Sequence, residues 1–206
     1  MKLRLLCLML LALLLVASPA FADVTFNLAQ NGDGVPAPGT DVFTAGGFEL
    51  DVTAWLTNGV QGEAIYKSDG PGEAGLGIFN TTASEINYPT QFLQLDISKL
   101  AGEGAVTITV GFNSVTNGET WGVSYSNVNG FLNTSYIATG TTETGVTISA
   151  AGGHYLDIAS IAPPGGANGG NILLNSVSVS NAPEPTSLML LGSGLVGLGG
   201  FFRKRK

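Results

Sequence analysis

The stretch Phe48-Glu49-Leu50-Asp51-Val52-Thr53-Ala54-Trp55-Leu56 (FELDVTAWL, residues 48–56) decides the fold. Phe48, Leu50, Val52, Ala54 and Leu56 share one parity; Glu49, Asp51, Thr53 and Trp55 share the other. A strand sends alternate side chains to opposite faces, so this run is a strand with one face to bury. The same period of two returns at Leu93, Leu95 and Ile97, and at Val106, Ile108, Val110 and Phe112. It continues at Val146 and Ile148, Leu156 and Ile158, and Val177 and Val179. Val24 to Leu28 reads as the first strand and Ile172 to Ser180 as the last. Helical periodicity is nearly missing. Gly, Asn and Pro clusters punctuate the chain, with loops expected at Asn31–Thr40 and Pro163–Asn171. Strands with one greasy face each need a second sheet to cover them. The expected fold is therefore all-β, an antiparallel β-sandwich of the jelly-roll kind over residues 23–181. No internal repeat points to a solenoid or propeller.

Both ends of the chain are different in kind. Residues 1–22 read as a signal peptide: Lys2 and Arg4, then an apolar run from Leu5 to Ala17. Ala20-Phe21-Ala22 follows as a small-x-small site, placing cleavage before Asp23. This calls for the Sec translocon and signal peptidase. The single cysteine, Cys7, lies inside that leader, so the mature chain carries no thiol and no disulfide. Residues 182–206 have three parts: Pro183-Glu184-Pro185, an uncharged apolar run, and Arg203-Lys204-Arg205-Lys206. As a helix, residues 186–202 reach roughly 25 Å, the short end of what spans a bilayer. Glycines weaken a helix in water but are tolerated in a membrane, where Ser193 and Gly197 at a spacing of four allow close approach of another helix. The terminal cations resist translocation, which keeps the chain end cytoplasmic and the body outside.

That order, Pro183-Glu184-Pro185, Gly-rich apolar run, Arg203-Lys204-Arg205-Lys206, resembles the PEP-CTERM sorting signal of Gram-negative bacteria. The resemblance implies recognition by exosortase, an inner-membrane cysteine transpeptidase, cleavage near the motif, and transfer to the cell surface. It also implies an association with exopolysaccharide and biofilm systems. From the residues alone a plain C-terminal anchor stays open; a GPI signal would end apolar rather than basic. In the body, Glu73-Ala74-Gly75-Leu76-Gly77-Ile78, Glu85-Ile86-Asn87 and Phe92-Leu93-Gln94-Leu95-Asp96 look like a segment of many PEP-CTERM surface proteins. Ile78 and Asn87 stand where that segment usually has Val and Asp. Gly75 and Gly77 there are expected to let another strand approach closely.

Charge bounds the partners. Between Asp23 and Ala182 only Lys67 and Lys99 are basic; the fifteen acids less Glu184 leave fourteen, so this body carries −12. Such a field repels nucleic acid and anionic lipid. It also repels an acidic polysaccharide unless divalent cations bridge the two. A soluble acidic surface is the plainer meaning of the same charge.

Site candidates are few. His154 is the only histidine, and its parity with Leu156 and Ile158 points it inward as a structural residue. With no mature cysteine there is neither a His/Cys zinc set nor HExxH, and no nucleophile-elbow spacing marks a serine. Carboxylate pairs for glycoside hydrolysis arise by chance among fourteen acids. Asn31, Asp33 and Asp69 are weak calcium candidates in Gly-rich turns; tight turns are the plainer meaning. Trp55 and Trp121 are the weak ligand-binding candidates, with Tyr66, Tyr88, Tyr125, Tyr136 and Tyr155 beside them, since flat rings stack on sugar faces. Trp55 is out of phase with the buried parity of its strand, whereas Trp121 shares its parity with Val123 and Tyr125, as a core residue would.

The expectation is an exported, exosortase-sorted, non-enzymatic surface or matrix protein without a required cofactor. It is held transiently in the inner membrane by residues 186–202. The alternative is a carbohydrate-binding or adhesin module, calcium-dependent or not; a glycosidase is the remote third.

Overall fold

Alternating sequence becomes alternating burial along Ala105–Asn113 and the first half of Phe48–Leu56, whereas Gln91–Asp96, Thr120–Ser126 and Tyr155–Ile161 are buried on both parities. The structure is a computed structural model describing residues 23–28, 39–68, 70, 72–79, 84–116, 118–161 and 170–181. In chain order its strands are β1 (Val24–Asn27), β2 (Thr40–Ala45), β3 (Phe48–Leu56), β4 (Ala64–Ser68), β5 (Ala74–Ile78), β6 (Ile86–Asn87) and β7 (Gln91–Asp96). Helix α1 (Ile97–Gly102) follows, then β8 (Ala105–Asn113), β9 (Thr120–Ser126), β10 (Ala138–Gly140), β11 (Val146–Ser149), β12 (Tyr155–Ile161) and β13 (Asn171–Asn181). The leader, the tail and the loop residues 31–38 and 162–169 lie outside the described residues.

Two antiparallel sheets form. The six-stranded sheet runs β10-β9-β12-β7-β3-β2; the seven-stranded one runs β11-β8-β13-β5-β4, with β1 and β6 also paired to β13. From β3 onward the chain changes sheet at most connections, so neighbours in sequence become facing layers. β13 is the spine of its sheet: it pairs with β6 at Asn171 and Ile172, with β5 at Leu174 and with β1 at Ser176 to Val179.

The greasy parity fills the space between the sheets. Leu50, Val52, Ala54, Leu93, Leu95, Leu156, Ile158 and Val123 come from one sheet; Ile108, Val110, Leu174, Val177 and Val179 come from the other. All of these are fully buried, each Leu or Ile contributing about 1.5–3 kcal/mol by leaving water. Phe112 of β8 and Trp121 of β9 stack across the layers at 4.5 Å and 11°. Gly75 lies against strand β13 as expected, whereas Gly77 lies against the bend that precedes β6. A Cβ on Gly75 would lie 2.8 Å from the Leu174 carbonyl oxygen, and one on Gly77 would lie 2.1 Å from that of Ser84.

Three expectations are corrected. The strand through Leu93 and Leu95 stops at Asp96, and Ile97 begins α1 instead. Asp96 caps that helix, its Oδ1 accepting from the Ser98 N–H at 3.1 Å and the Ser98 hydroxyl at 2.6 Å. Val106 is about half exposed, with Ala105 buried beside it at the strand's start. His154 is exposed rather than inward, because β12 begins only at Tyr155 and its alternation does not reach back. The His154 backbone serves instead: its carbonyl accepts the Ile97 and Ser98 N–H groups, each at 3.0 Å.

Candidate functional site

The polar parity of the six-stranded sheet builds a second layer of structure on its outer face. Strand register sets three rows across it. The first is Trp55, Phe92, Ala159 and Gly122. The second is Thr40, Thr53, Gln94, Asp157 and Ser124. The third is Val42, Asp51, Asp96, Tyr155 and Ser126.

Residues 127–137, the connection from β9 to β10, strap over the first two rows. Phe92 and Ala159 are buried although they face away from the main core. Gly130 passes over Trp55, whose ring lies 3.0 Å from where a Gly130 Cβ would be. Gly130 also has φ +75°, a conformation glycine adopts without strain. The Tyr136 ring lies over Gly122, 2.7 Å from where a Cβ would stand there. Burial, and then the neighbouring Tyr88 and Asp157, push the Tyr136 phenol above its ordinary value.

Asp157 and Gln94 tie the strap down. Asp157 is fully buried. Its Oδ1 accepts from Gln94 Nε2 at 2.8 Å and its Oδ2 from the Asn133 N–H at 3.0 Å. Gln94 Oε1 accepts the Gly130 N–H at 2.9 Å, and its Nε2 also donates to the Val128 carbonyl at 3.2 Å. The Ser124 hydroxyl donates to the Asn133 carbonyl, and Asn133 Nδ2 donates to the Tyr125 carbonyl at 2.7 Å. Burial raises the Asp157 carboxyl to about 6, although the bonds from Asn133 and Gln94 pull it the other way. Outward, the strap presents Val128, Phe131 and Ile137 to solvent.

Where the strap ends, the third row opens. A cavity of about 90 Å³ lies there, lined by Asp51, Thr53, Gln94, Asp96, Tyr155 and the strap's Asn129, among others. Asp51 and Asp96 sit directly opposite each other on β3 and β7. Lys99 relieves that like-charge pair: its ammonium lies 3.2 Å from Asp51 Oδ2 and also bonds Glu49. Glu49, then Asp51, hold the Lys99 ammonium above its ordinary value, against some desolvation. On the other sheet Lys67 is bound by Glu85, and by Glu73 at 3.3 Å. Both lysines of the body are thus engaged with acids.

The sequence candidates fall in different places. Trp121 is buried in the core, and its Nε1 donates to the Thr142 carbonyl at 2.7 Å, so it offers no face to a ligand. Trp55 is half buried under the strap; its Nε1 is enclosed without an acceptor among the described residues. Asn31, Asp33 and Asp69 lie outside the described residues. Among the described residues no three His, Asp or Glu side chains converge to hold a metal. Gln94, Asp96, Asp157 and Tyr155 form the site; of these only Tyr155 stood among the aromatic candidates read from sequence. The available signal was a mid-strand Asp and Gln between fully apolar neighbours, in LDIAS and FLQLD.

Ala20, Ala22, Pro183 to Pro185 and Arg203 to Lys206 lie outside the described residues. Residues 181–206 match the family profile described as the PEP-CTERM protein-sorting motif. The chain carries a PEP-CTERM sorting motif. The PEP-CTERM motif directs a protein to exosortase and implies export to the cell surface. A comparison with curated proteins returns no match. No helix among the described residues is long and apolar enough to cross a membrane; the run 186–202 that follows the Pro-Glu-Pro of the PEP-CTERM motif is outside them.

Proposed function

We propose that this chain is a non-enzymatic surface or matrix component delivered by the sorting pathway. It passes the Sec translocon, loses residues 1–22 to signal peptidase, and is held in the inner membrane by a helix over about 186–202. Exosortase then cuts near Pro183–Pro185 and hands the β-sandwich, of the jelly-roll kind, to the exterior, where it works with exopolysaccharide in biofilm. The observation that carries this is the motif match over residues 181–206. The fully paired lysines and the acid excess of the body support an outward life among neutral or cation-bridged polymers. The test is the intact mass of the protein recovered from cells. A chain beginning at Asp23 and ending near Pro185 is expected; an intact Arg203-Lys204-Arg205-Lys206 end means simple anchoring and overturns exosortase processing.

The second reading is a carbohydrate-binding or adhesin module. It is favoured by one observation: the polar cavity left open beside the strap, where carboxylate, amide and phenol groups converge. Calcium dependence belongs to this reading only through Asn31, Asp33 and Asp69. Binding of the full chain to a glycan array, with and without calcium, separates the two readings.

A further inference from the structure

We propose that the cavity between Asp51, Asp96, Tyr155 and Asn129 is a subsite for a single sugar ring that carries no negative charge. This rests on the carbohydrate-binding reading above and assigns it a place and a ligand class. The cavity is about 90 Å³ and open on one side, room for one edge of a single ring rather than for a chain lying along a cleft.

Its chemistry is that of a hydroxyl acceptor. Asp96 spends Oδ1 on capping α1, accepting from the Ser98 N–H, the Ser98 hydroxyl and the Lys99 N–H. Its Oδ2 makes no hydrogen bond among the described residues, yet the residue lines the cavity. An ionised oxygen in that position accepts a charge-assisted bond from a sugar hydroxyl, stronger than a neutral one. The helix cap fixes the carboxylate's orientation beforehand, so little entropy is lost in using it. Gln94 forms the floor and is held rigid by Asp157 and the strap. Tyr155 is half buried at the rim, with a ring face and a hydroxyl that no described residue engages. Asn129 supplies both a donor and an acceptor from the strap.

Charge decides which rings enter. Asp51 and Asp96 face each other across β3 and β7. The nearest cation, Lys99, is already shared between Glu49 and Asp51. A uronate carboxylate would meet this wall with no free cation among the described residues lining it. Hydroxyl groups, which can donate, meet acceptors.

The test uses the full chain in detergent, in chelator-containing buffer. Ligand-observed saturation-transfer NMR would be recorded with methyl α-mannopyranoside, methyl β-galactopyranoside and methyl β-glucuronide. At least one neutral glycoside is expected to bind and the glucuronide to bind at least tenfold more weakly. Asp96→Asn keeps an oxygen for the helix cap but replaces the free acceptor with a donor; it is expected to weaken neutral-sugar binding at least tenfold. Tyr155→Leu, which leaves Asp96 untouched, is expected to do the same. Val106→Thr, on the other sheet, should change nothing. If wild-type protein binds neutral sugars and both site variants bind equally well, this subsite is wrong while the carbohydrate-binding reading stands. If the glucuronide binds as well as the neutral glycosides, the charge rule is wrong. If wild type binds none of the three, the subsite and the reading beneath it fall together.

Discussion

The two faces of the six-stranded sheet are built from the same strands, residue by residue in alternation, and both are largely buried. Inward, Leu50, Val52, Leu93, Leu95, Leu156 and Ile158 meet the second sheet without a polar atom among their side chains. Outward, Gln94, Asp157, Ser124 and Ser126 are nearly as buried, but their cover is eleven residues of irregular chain held by hydrogen bonds. The lesson is that polar parity does not mean solvated parity. The inner face is held by area removed from water, which is non-directional and forgiving of small shifts. The outer face is held by donor–acceptor geometry, where each bond is modest but each orphaned group is costly.

That contrast can be broken first at its strongest point. Leu95→Ala or Leu156→Ala removes a fully buried side chain from between the sheets and should cost about 3 kcal/mol by urea unfolding. A loss below about 1 kcal/mol would mean the inner face is not close-packed. Next comes Asp157→Ala, which removes the acceptor of the Asn133 N–H and one of the two acceptors of Gln94 Nε2; about 2 kcal/mol is expected. Amide hydrogen exchange should rise across 127–137 far more than in β12 itself; a uniform rise would deny the strap its separate attachment.

Asp157 also sharpens the comparison through pH. Its folded value, about 6, lies above the ordinary carboxylate value of 3.8. The folded state therefore binds the proton more tightly, so this group's contribution is fully present below about pH 4 and is lost as pH rises through 6. The fold should be more stable at pH 5 than at pH 7.5, and Asp157→Asn should flatten that slope in thermal melts. An unchanged slope in the Asn variant would assign the pH dependence elsewhere. Gly130→Ala ranks below these, at about 1 kcal/mol, from the φ of +75° and the contact with Trp55; a shift in near-ultraviolet dichroism should accompany it. Smallest is Thr109→Val, which removes a hydroxyl pair with Thr147 on an exposed face at 2.7 Å. A few tenths of a kcal/mol is expected there, the measure of a polar face that really is solvated.

Much of the inner face was legible in sequence because burial there follows period two alone. FELDVTAWL, FLQLD and the Val177/Val179 strand each announce their buried parity, and the second sheet follows from having that parity to cover. Gly75 and Gly77 were legible for the same reason: a glycine inside a strand pattern means another backbone is close. The strap was not legible. Its own sequence, NVNGFLNTSYI at residues 127–137, has no period, and its position depends on bonds to Gln94 and Asp157 far away in the chain. His154 misled because parity was extended one residue beyond the strand, and Ile97 because the cap at Asp96 stops the strand where the alternation does not. The sorting motif was legible in full, since it is read by order and composition rather than by fold.

β13 is the last strand of the body in the chain and the middle strand of its sheet. A polypeptide emerging N-terminus first thus delivers β11-β8 and β5-β4 as two separated ribbons, each with a long unpaired edge. They can join only when residues 171–181 arrive, a few residues ahead of Pro183. Completion of the sandwich is therefore timed to the arrival of the sorting motif. Until then the exported chain is an open, edge-exposed intermediate that must be kept from pairing with its neighbours.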